Sequence, residues 1–125
     1  MIKELKLLDW KSFENATLYI DPLTVLIGSN ASGKSNALDA LLFLNRVSQG
    51  VAIFSAIAGD VNLPALRGGM EWICRKPKNQ FRLSITLGSG NENQDYRYDL
   101  TVQVNSAKAE VYAEELTRLT YGPRS

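Results

Sequence analysis

The chain has 125 residues, 45% of them hydrophobic, and a formal net charge of +1, which is the profile of one small globular domain. Because acidic and basic residues are interspersed along it, charge alone gives no reason to predict a nucleic-acid or membrane surface. Cys74 is the only cysteine, which excludes an intrachain disulfide, and no apolar stretch has the length of a signal peptide or membrane span, so we predict a cytoplasmic protein without a membrane partner.

The first 27 residues predict three strands. Residues 2–8 mix isoleucine, leucine and lysine as short strands do, and residues 16–20 form a second strand after a polar bend. Pro22 ends the second strand, because proline cannot donate a ladder hydrogen bond. Residues 23–27 (LTVLI) are continuously apolar, the pattern of a strand buried on both faces.

The next stretch, GSNASGKSN, satisfies the phosphate-loop pattern G-x-x-x-x-G-K-[ST] between a predicted strand and a predicted helix. Gly28 and Gly33 allow several backbone N–H groups to face a polyphosphate, and the start of the helix favours an anion. We expect Lys34 to reach the terminal phosphates of ATP, and the Ser35 hydroxyl to ligate Mg²⁺. The ordinary alternative is a glycine- and serine-rich turn that caps a helix. The predicted ATP-binding residues are Gly28, Ser29, Asn30, Ala31, Ser32, Gly33, Lys34, Ser35 and Asn36.

A helix and a long connection are predicted after the loop. Residues 34–47 carry apolar side chains at helical spacing. Residues 48–79 are interrupted by glycine and proline, so we predict a connection with one short helix, and long connections are often functional. The apolar residues of the predicted helix are Leu38, Leu41, Leu42, Leu44 and Val47, with Phe43 nearby.

The last third of the chain changes to a period of two. Residues 81–87 and 96–104 alternate apolar and polar side chains, which predicts two half-buried antiparallel strands joined by a polar turn. Residues 109–117 predict a third strand, and residues 118–125 a tail. The chain is therefore predicted to be a single lobe, divided into residues 1–47, 48–79, 80–117 and 118–125.

Parts of a complete nucleotide hydrolase are missing from the sequence. No apolar strand after the loop ends in the acidic residue that would hold Mg²⁺ and orient water, and there is no histidine to act as a base. One buried strand and one crossover helix cannot close a doubly wound sheet. We therefore expect half of an active site, with no catalytic residue identified, and further strands from sequence not present here or from another chain.

Several stretches resemble a known family. The first strand, followed by DWKSF and TVLIGSNASGKSNALDALLFL, resembles the N-terminal lobe of the ABC-type ATPase heads in the RecF, SMC and OLD group. LRGG and YRYDLTVQV with AEVYAEEL are similar to bacterial AAA-type ATPases of that group, many of which occur in anti-phage defence operons. The resemblance implies an α/β P-loop NTPase lobe: a mixed sheet around one P-loop helix plus an antiparallel meander, incomplete without a C-terminal lobe.

The resemblance also implies partners and three further site residues. Two heads would form an ATP-switched dimer through their nucleotide faces, with DNA and an effector nuclease as partners. Lys11 matches a basic residue that approaches the nucleotide, Arg67 an arginine that contacts phosphate or DNA, and Gln80 the lobe-joining glutamine near the metal. Each has an ordinary alternative: an exposed turn lysine, a solvated arginine and a surface glutamine.

Three functions are consistent with these features. The first is the ATP-binding lobe of a RecF/SMC-like ATPase in DNA maintenance or anti-phage defence, active as part of a complete head and inactive as this stretch alone. The second is a small-molecule kinase, which shares the loop but needs a lid and substrate-binding segments where this chain predicts a meander. The third is a non-catalytic nucleotide-binding interaction subunit.

Overall fold

The computed structural model describes residues 2–11, 13–19, 31–90, 93–105 and 108–121, without the side chains of residues 31–34. The strand predicted at residues 23–27 and the loop residues Gly28, Ser29 and Asn30 lie outside this part of the chain. The elements are β1 (Ile2–Trp10), β2 (Phe13–Tyr19), α1 (Ala31–Ser48), α2 (Ile53–Ala58), α3 (Gly69–Trp72), β3 (Gln80–Gly88), β4 (Gln94–Val104) and β5 (Ala109–Thr120).

The five strands form one sheet in the order β2-β1-β3-β4-β5. All four neighbouring pairs are antiparallel. The predicted meander of the last three strands is confirmed, and β1 lies between β2 and β3. The mixed sheet predicted from the sequence is not found among these strands, since the segment at residues 23–27 that would add a buried strand lies outside the described ranges.

Helix α1 packs most of the predicted apolar residues against the core, including Phe43 and Leu44, but not all of them. Ala40 and Phe43 are fully buried, but Leu38 is 46% exposed and Leu42 is 42% exposed. These two leucines have the predicted helical spacing but lie outside the buried stripe. The aromatic ring of Phe43 sets the rotation of the helix, because it packs against rings from two strands of the sheet.

Trp10, Phe43 and Phe81 form the aromatic centre of the core. The Trp10 ring centroid lies 5.8 Å from that of Phe43 and 4.9 Å from that of Phe81. Asp9 has a left-handed backbone with φ of 53°, which interrupts the alternation of β1, so Trp10 lies on the same side of the sheet as Leu7. The end of β1 is thereby held against helix α1.

Two further features differ from the sequence prediction. The short helix in the connection is confirmed as α2, but a second helical turn, α3, follows it. On the polar face of the meander, Asp99 is only 6% exposed. Burial of this carboxylate is compensated because the Ser84 hydroxyl donates to it and the guanidinium of Arg97 lies 3.1 Å away.

Candidate functional site

Lys11 lies at the tip of the β1–β2 hairpin and is bound to Asp39, in the middle of helix α1. Its backbone has a left-handed φ of 55°. The Nζ atom donates to Asp39 Oδ2 at 2.7 Å and to the Arg67 carbonyl at 2.9 Å. The Lys11 side chain is only 8% exposed. The alternative of an exposed turn lysine is therefore wrong, and the ammonium group is held by two oxygens.

Asp39 connects this lysine to the long connection. The Arg67 guanidinium donates through Nε to Asp39 Oδ2 at 3.0 Å and through Nη2 to Asn36 Oδ1 at 3.0 Å. The indole of Trp10 donates to the Asn36 carbonyl at 3.0 Å. Two cations share one carboxylate, so the cluster keeps one net positive charge. Bonds between ionised partners are stronger than neutral ones, which fixes three distant segments relative to one another.

The residues on either side of Arg67 fix its backbone in place. Leu66 is 3% exposed, and its N–H donates to the Ile57 carbonyl at 2.9 Å. Gly68 has a φ of 79°, and a Cβ added there would lie 2.8 Å from the Cβ of Trp72, so only glycine fits this turn. The Arg67 side chain is nevertheless 58% exposed, which leaves guanidinium donors available to a ligand.

A cleft of about 420 Å³ opens beside this cluster. Among the residues that the structure describes, its lining includes four cations and no carboxylate. The Arg75 guanidinium donates to Asp9 at 3.0 Å, and the Lys76 Nζ lies 5.0 Å from the centroid of the Trp72 ring. Trp72 is 56% exposed. We call this site the basic cleft; it is lined by Lys11, Asn36, Arg67, Gly68, Trp72, Cys74, Arg75 and Lys76.

The basic cleft combines two kinds of binding chemistry. Clustered ammonium and guanidinium groups attract an anion, and an exposed indole offers an aromatic face. Cys74, at its wall, is 7% exposed, and burial raises the pKa of its thiol to about 11. That thiol is protonated near neutral pH and is no nucleophile. The site is therefore suited to binding an aromatic anion.

The structure brings some predicted site residues together and leaves others apart. Lys11, Asn36 and Arg67 meet at the cleft, and Ser35 precedes Asn36 in helix α1. Gln80 does not line the cleft: it begins β3, where alternation places it on the face opposite Phe81 and helix α1. The metal roles of Ser35 and Gln80 stay predictions, as do the roles of the loop residues and of Ala31, Ser32, Gly33 and Lys34.

Sequence reasoning missed four residues of this site. Asp39 had one available signal, since it is the only charge among the apolar residues 37–44 of the helix. An acid that breaks an apolar helical run usually has a partner. Trp72, Arg75 and Lys76 carried no such signal, because only the folded connection brings them to the hairpin.

A phosphate-loop sequence and an α/β fold with a basic cleft beside the N-terminal half of helix α1 indicate a nucleotide-binding domain. The family model described as AAA ATPase domain matches residues 1–117, and the chain belongs to that family. Membership indicates ATP binding, and for the family in general ATPase activity with nucleotide and Mg²⁺. No curated protein and no solved structure matches the chain. No helix in the described part of the chain has the length and apolar character to cross a membrane.

Proposed function

We propose that this chain is the ATP-binding lobe of a RecF/SMC-like ATPase, with the phosphates on residues 28–36 and the base and ribose in the basic cleft. One observation carries the proposal. Lys11, Asn36 and Arg67 come from three separate segments, yet they meet one residue after Ser35, the last specified residue of the phosphate-loop pattern. A cationic cleft thus adjoins the place where that pattern predicts polyphosphate.

The described contacts assign a different task to each cation. Lys11 is committed to Asp39 and to a carbonyl, so it positions the hairpin beside the helix. Arg67 is more than half exposed and retains donors for an anion. Trp72 offers a stacking surface for a base. Because the network already orders these groups, ligand binding need not bear that entropic cost.

Lys34 and Ser35 complete the proposed site. The ammonium group of Lys34 binds the terminal phosphates, and the Ser35 hydroxyl takes one position in the shell of Mg²⁺, which neutralises phosphate charge when bound. The proposal extends to a dimer of two heads that sandwich ATP and change how the assembly holds DNA or a nuclease, in DNA maintenance or anti-phage defence. The family resemblance of the motifs supports this extension.

Calorimetric titration with ATP and Mg²⁺ tests the proposal. We expect Lys34→Ala to weaken binding by about 10- to 150-fold, which corresponds to a charge-assisted contact of about 1.5–3 kcal/mol. Lys108→Ala is the matched control, since Lys108 is an exposed lysine outside the cleft, and it should leave affinity unchanged. Equal affinity in Lys34→Ala and the parent would contradict the phosphate assignment.

Phosphate release measured on the same samples tests the half-site. We expect little turnover from this chain alone, because the loop supplies only a hydroxyl to the metal, whereas phosphoryl transfer depends on positioning and electrostatic stabilisation. Asp60 and Glu114 already accept hydrogen bonds, from the Leu63 N–H and the Tyr98 hydroxyl. Turnover of about one per second that disappears in Lys34→Ala would show a complete site, with Asp60, Glu71 and Glu114 to be replaced first.

A further inference from the structure

We propose that β5 is a second surface, separate from the nucleotide face, through which two copies of this chain associate without nucleotide, by pairing their edges antiparallel about a two-fold axis at Leu116. β5 ends the strand order of the described sheet, so its outer edge has no partner strand there. Leu116 is 71% exposed and Tyr112 is 63% exposed. A long edge strand with exposed apolar side chains is a template for pairing with another chain.

The direction of the backbone N–H and C=O groups along β5 determines which residues can pair with a second strand. The Tyr121 N–H donates to the Asn93 carbonyl on the β4 side at 2.8 Å. Since backbone groups alternate in direction along an antiparallel strand, the even-numbered residues turn their N–H and C=O groups outward. The register shift lies before residue 114, so the outward residues in the regular part of the strand are Glu114, Leu116, Arg118 and Thr120.

Charge then selects the register. With the axis at Leu116, that residue faces its own copy, and Glu114 faces Arg118 of the second copy on both sides of the axis. If the axis lay at Glu114 or at Arg118, that residue would face the same residue of the second copy, and the two would carry the same charge. An axis at residue 115 would likewise place two glutamates opposite each other. Like charges directly opposite destabilise a strand pair, and opposite charges stabilise it. Leu116 is the centre that pairs opposite charges and opposes none of the same sign.

Glu114 is already held in position for this contact. The Tyr98 hydroxyl donates to its Oε2 at 2.6 Å, which leaves Oε1 for a second donor. Arg118 is exposed, and none of the ion pairs among the described residues includes it. A fixed carboxylate beside an outward backbone edge offers a planar guanidinium a suitable acceptor.

Sedimentation equilibrium of the full chain without nucleotide is the first test. We expect a dimer of twice 13.9 kDa. Leu116→Pro should yield a folded monomer, because it removes an outward N–H and no bond to β4. Glu114→Arg and Arg118→Glu should each weaken association at least tenfold, and the double variant should restore it. Glu110→Arg, at the end of the strand, is the matched control and should change little.

Disulfide trapping tests the register directly. Facing residues of a hydrogen-bonded pair lie about 5.5 Å apart between Cα atoms, within disulfide range. Leu116→Cys should therefore cross-link under mild oxidation, and Glu110→Cys should not, while the buried thiol of Cys74 stays unreactive. A monomeric parent without cross-linking would overturn the proposal. So would a dimer that Leu116→Pro leaves intact. Nucleotide binding is measured separately, so this failure would leave the ATP site untouched.

Discussion

The hairpin end of the sheet and its β5 edge differ in the exposure and pairing of their charged side chains. At the hairpin end, the Lys11 side chain is 8% exposed and that of Asp39 is 15% exposed, and they are bonded to each other. At the β5 edge, Glu114 and Arg118 are exposed, and Leu116 is 71% exposed. The charges of Lys11 and Asp39 are thus paired within the chain, whereas those along β5 remain available to a second molecule.

This difference separates a site that the fold has already assembled from a surface that needs another molecule. At the hairpin end, the polar groups bond β1, α1 and the connection to one another. Mutations there should therefore change the free energy of unfolding. Mutations at the β5 edge should mainly change the affinity between two copies of the chain. The following substitutions test that contrast.

Trp10→Ala should have the largest effect on stability. It removes a fully buried ring that contacts Phe43 and Phe81, and it removes the indole donor to Asn36. We expect a loss of about 3–5 kcal/mol in the free energy of unfolding, measured by denaturant titration. Tyr19→Ala, at a residue 69% exposed on β2, should cost less than about 0.5 kcal/mol. Equal losses would mean that the aromatic centre is misplaced.

Asp39→Asn should have the next largest effect. It leaves the nearly buried ammonium group of Lys11 without its carboxylate, and breaking a buried ion pair in this way costs about 3 kcal/mol. Glu110→Gln, at an exposed acid of β5, is the control and should leave the unfolding midpoint unchanged. If Asp39→Asn also left the unfolding midpoint unchanged, the cluster of Lys11, Asp39 and Arg67 would not be what holds the hairpin in place.

Tyr98→Phe should have the smallest effect and a distinctive pH dependence. Burial, together with the Glu114 carboxylate, raises the pKa of the Tyr98 phenol to about 12. A raised pKa means that the folded state holds the proton more tightly, so this stabilisation is complete below about pH 10, the ordinary tyrosine value. It is lost as pH rises towards 12.

Melting temperatures of the parent and of Tyr98→Phe, compared from pH 8 to pH 12, check this expectation. At pH 8 the parent should be more stable by about 1 kcal/mol, the net contribution of one hydrogen bond. The difference should narrow as the pH rises. A difference that stayed constant over this range would show that Tyr98 titrates alike in the folded and unfolded chains.

Local periodicity explains what the sequence could predict. The alternation in residues 81–87 and 96–104 specified two strands and their faces, because the side-chain period of a strand is two. The positions of Leu38 and Leu42 could not be predicted from spacing, since neighbouring stripes of one apolar helix both have helical spacing. Only the contact of Phe43 with Trp10 and Phe81 decides between them.

The candidate site was predictable where its chemistry is contiguous in sequence. The phosphate-loop pattern lies in nine consecutive residues, so it could be identified directly. Lys11 and Asp39 are 28 residues apart, and no local pattern links a turn lysine to a helical aspartate. The burial of Lys11 depends on this pair. Trp72 and Arg75 likewise reach the cleft through the path of the connection.

The central claim is that ATP lies on the phosphate loop with its base in the basic cleft, and tryptophan fluorescence tests it most directly. The emission of Trp72 is obtained as the difference between the parent and Trp72→Phe, and it is followed during titration with ATP and Mg²⁺. We predict a saturable change with the same midpoint as the calorimetric titration, weakened in parallel by Lys34→Ala. Tight calorimetric binding with no change in Trp72 emission would contradict the account, because the nucleotide would then lie away from this cleft.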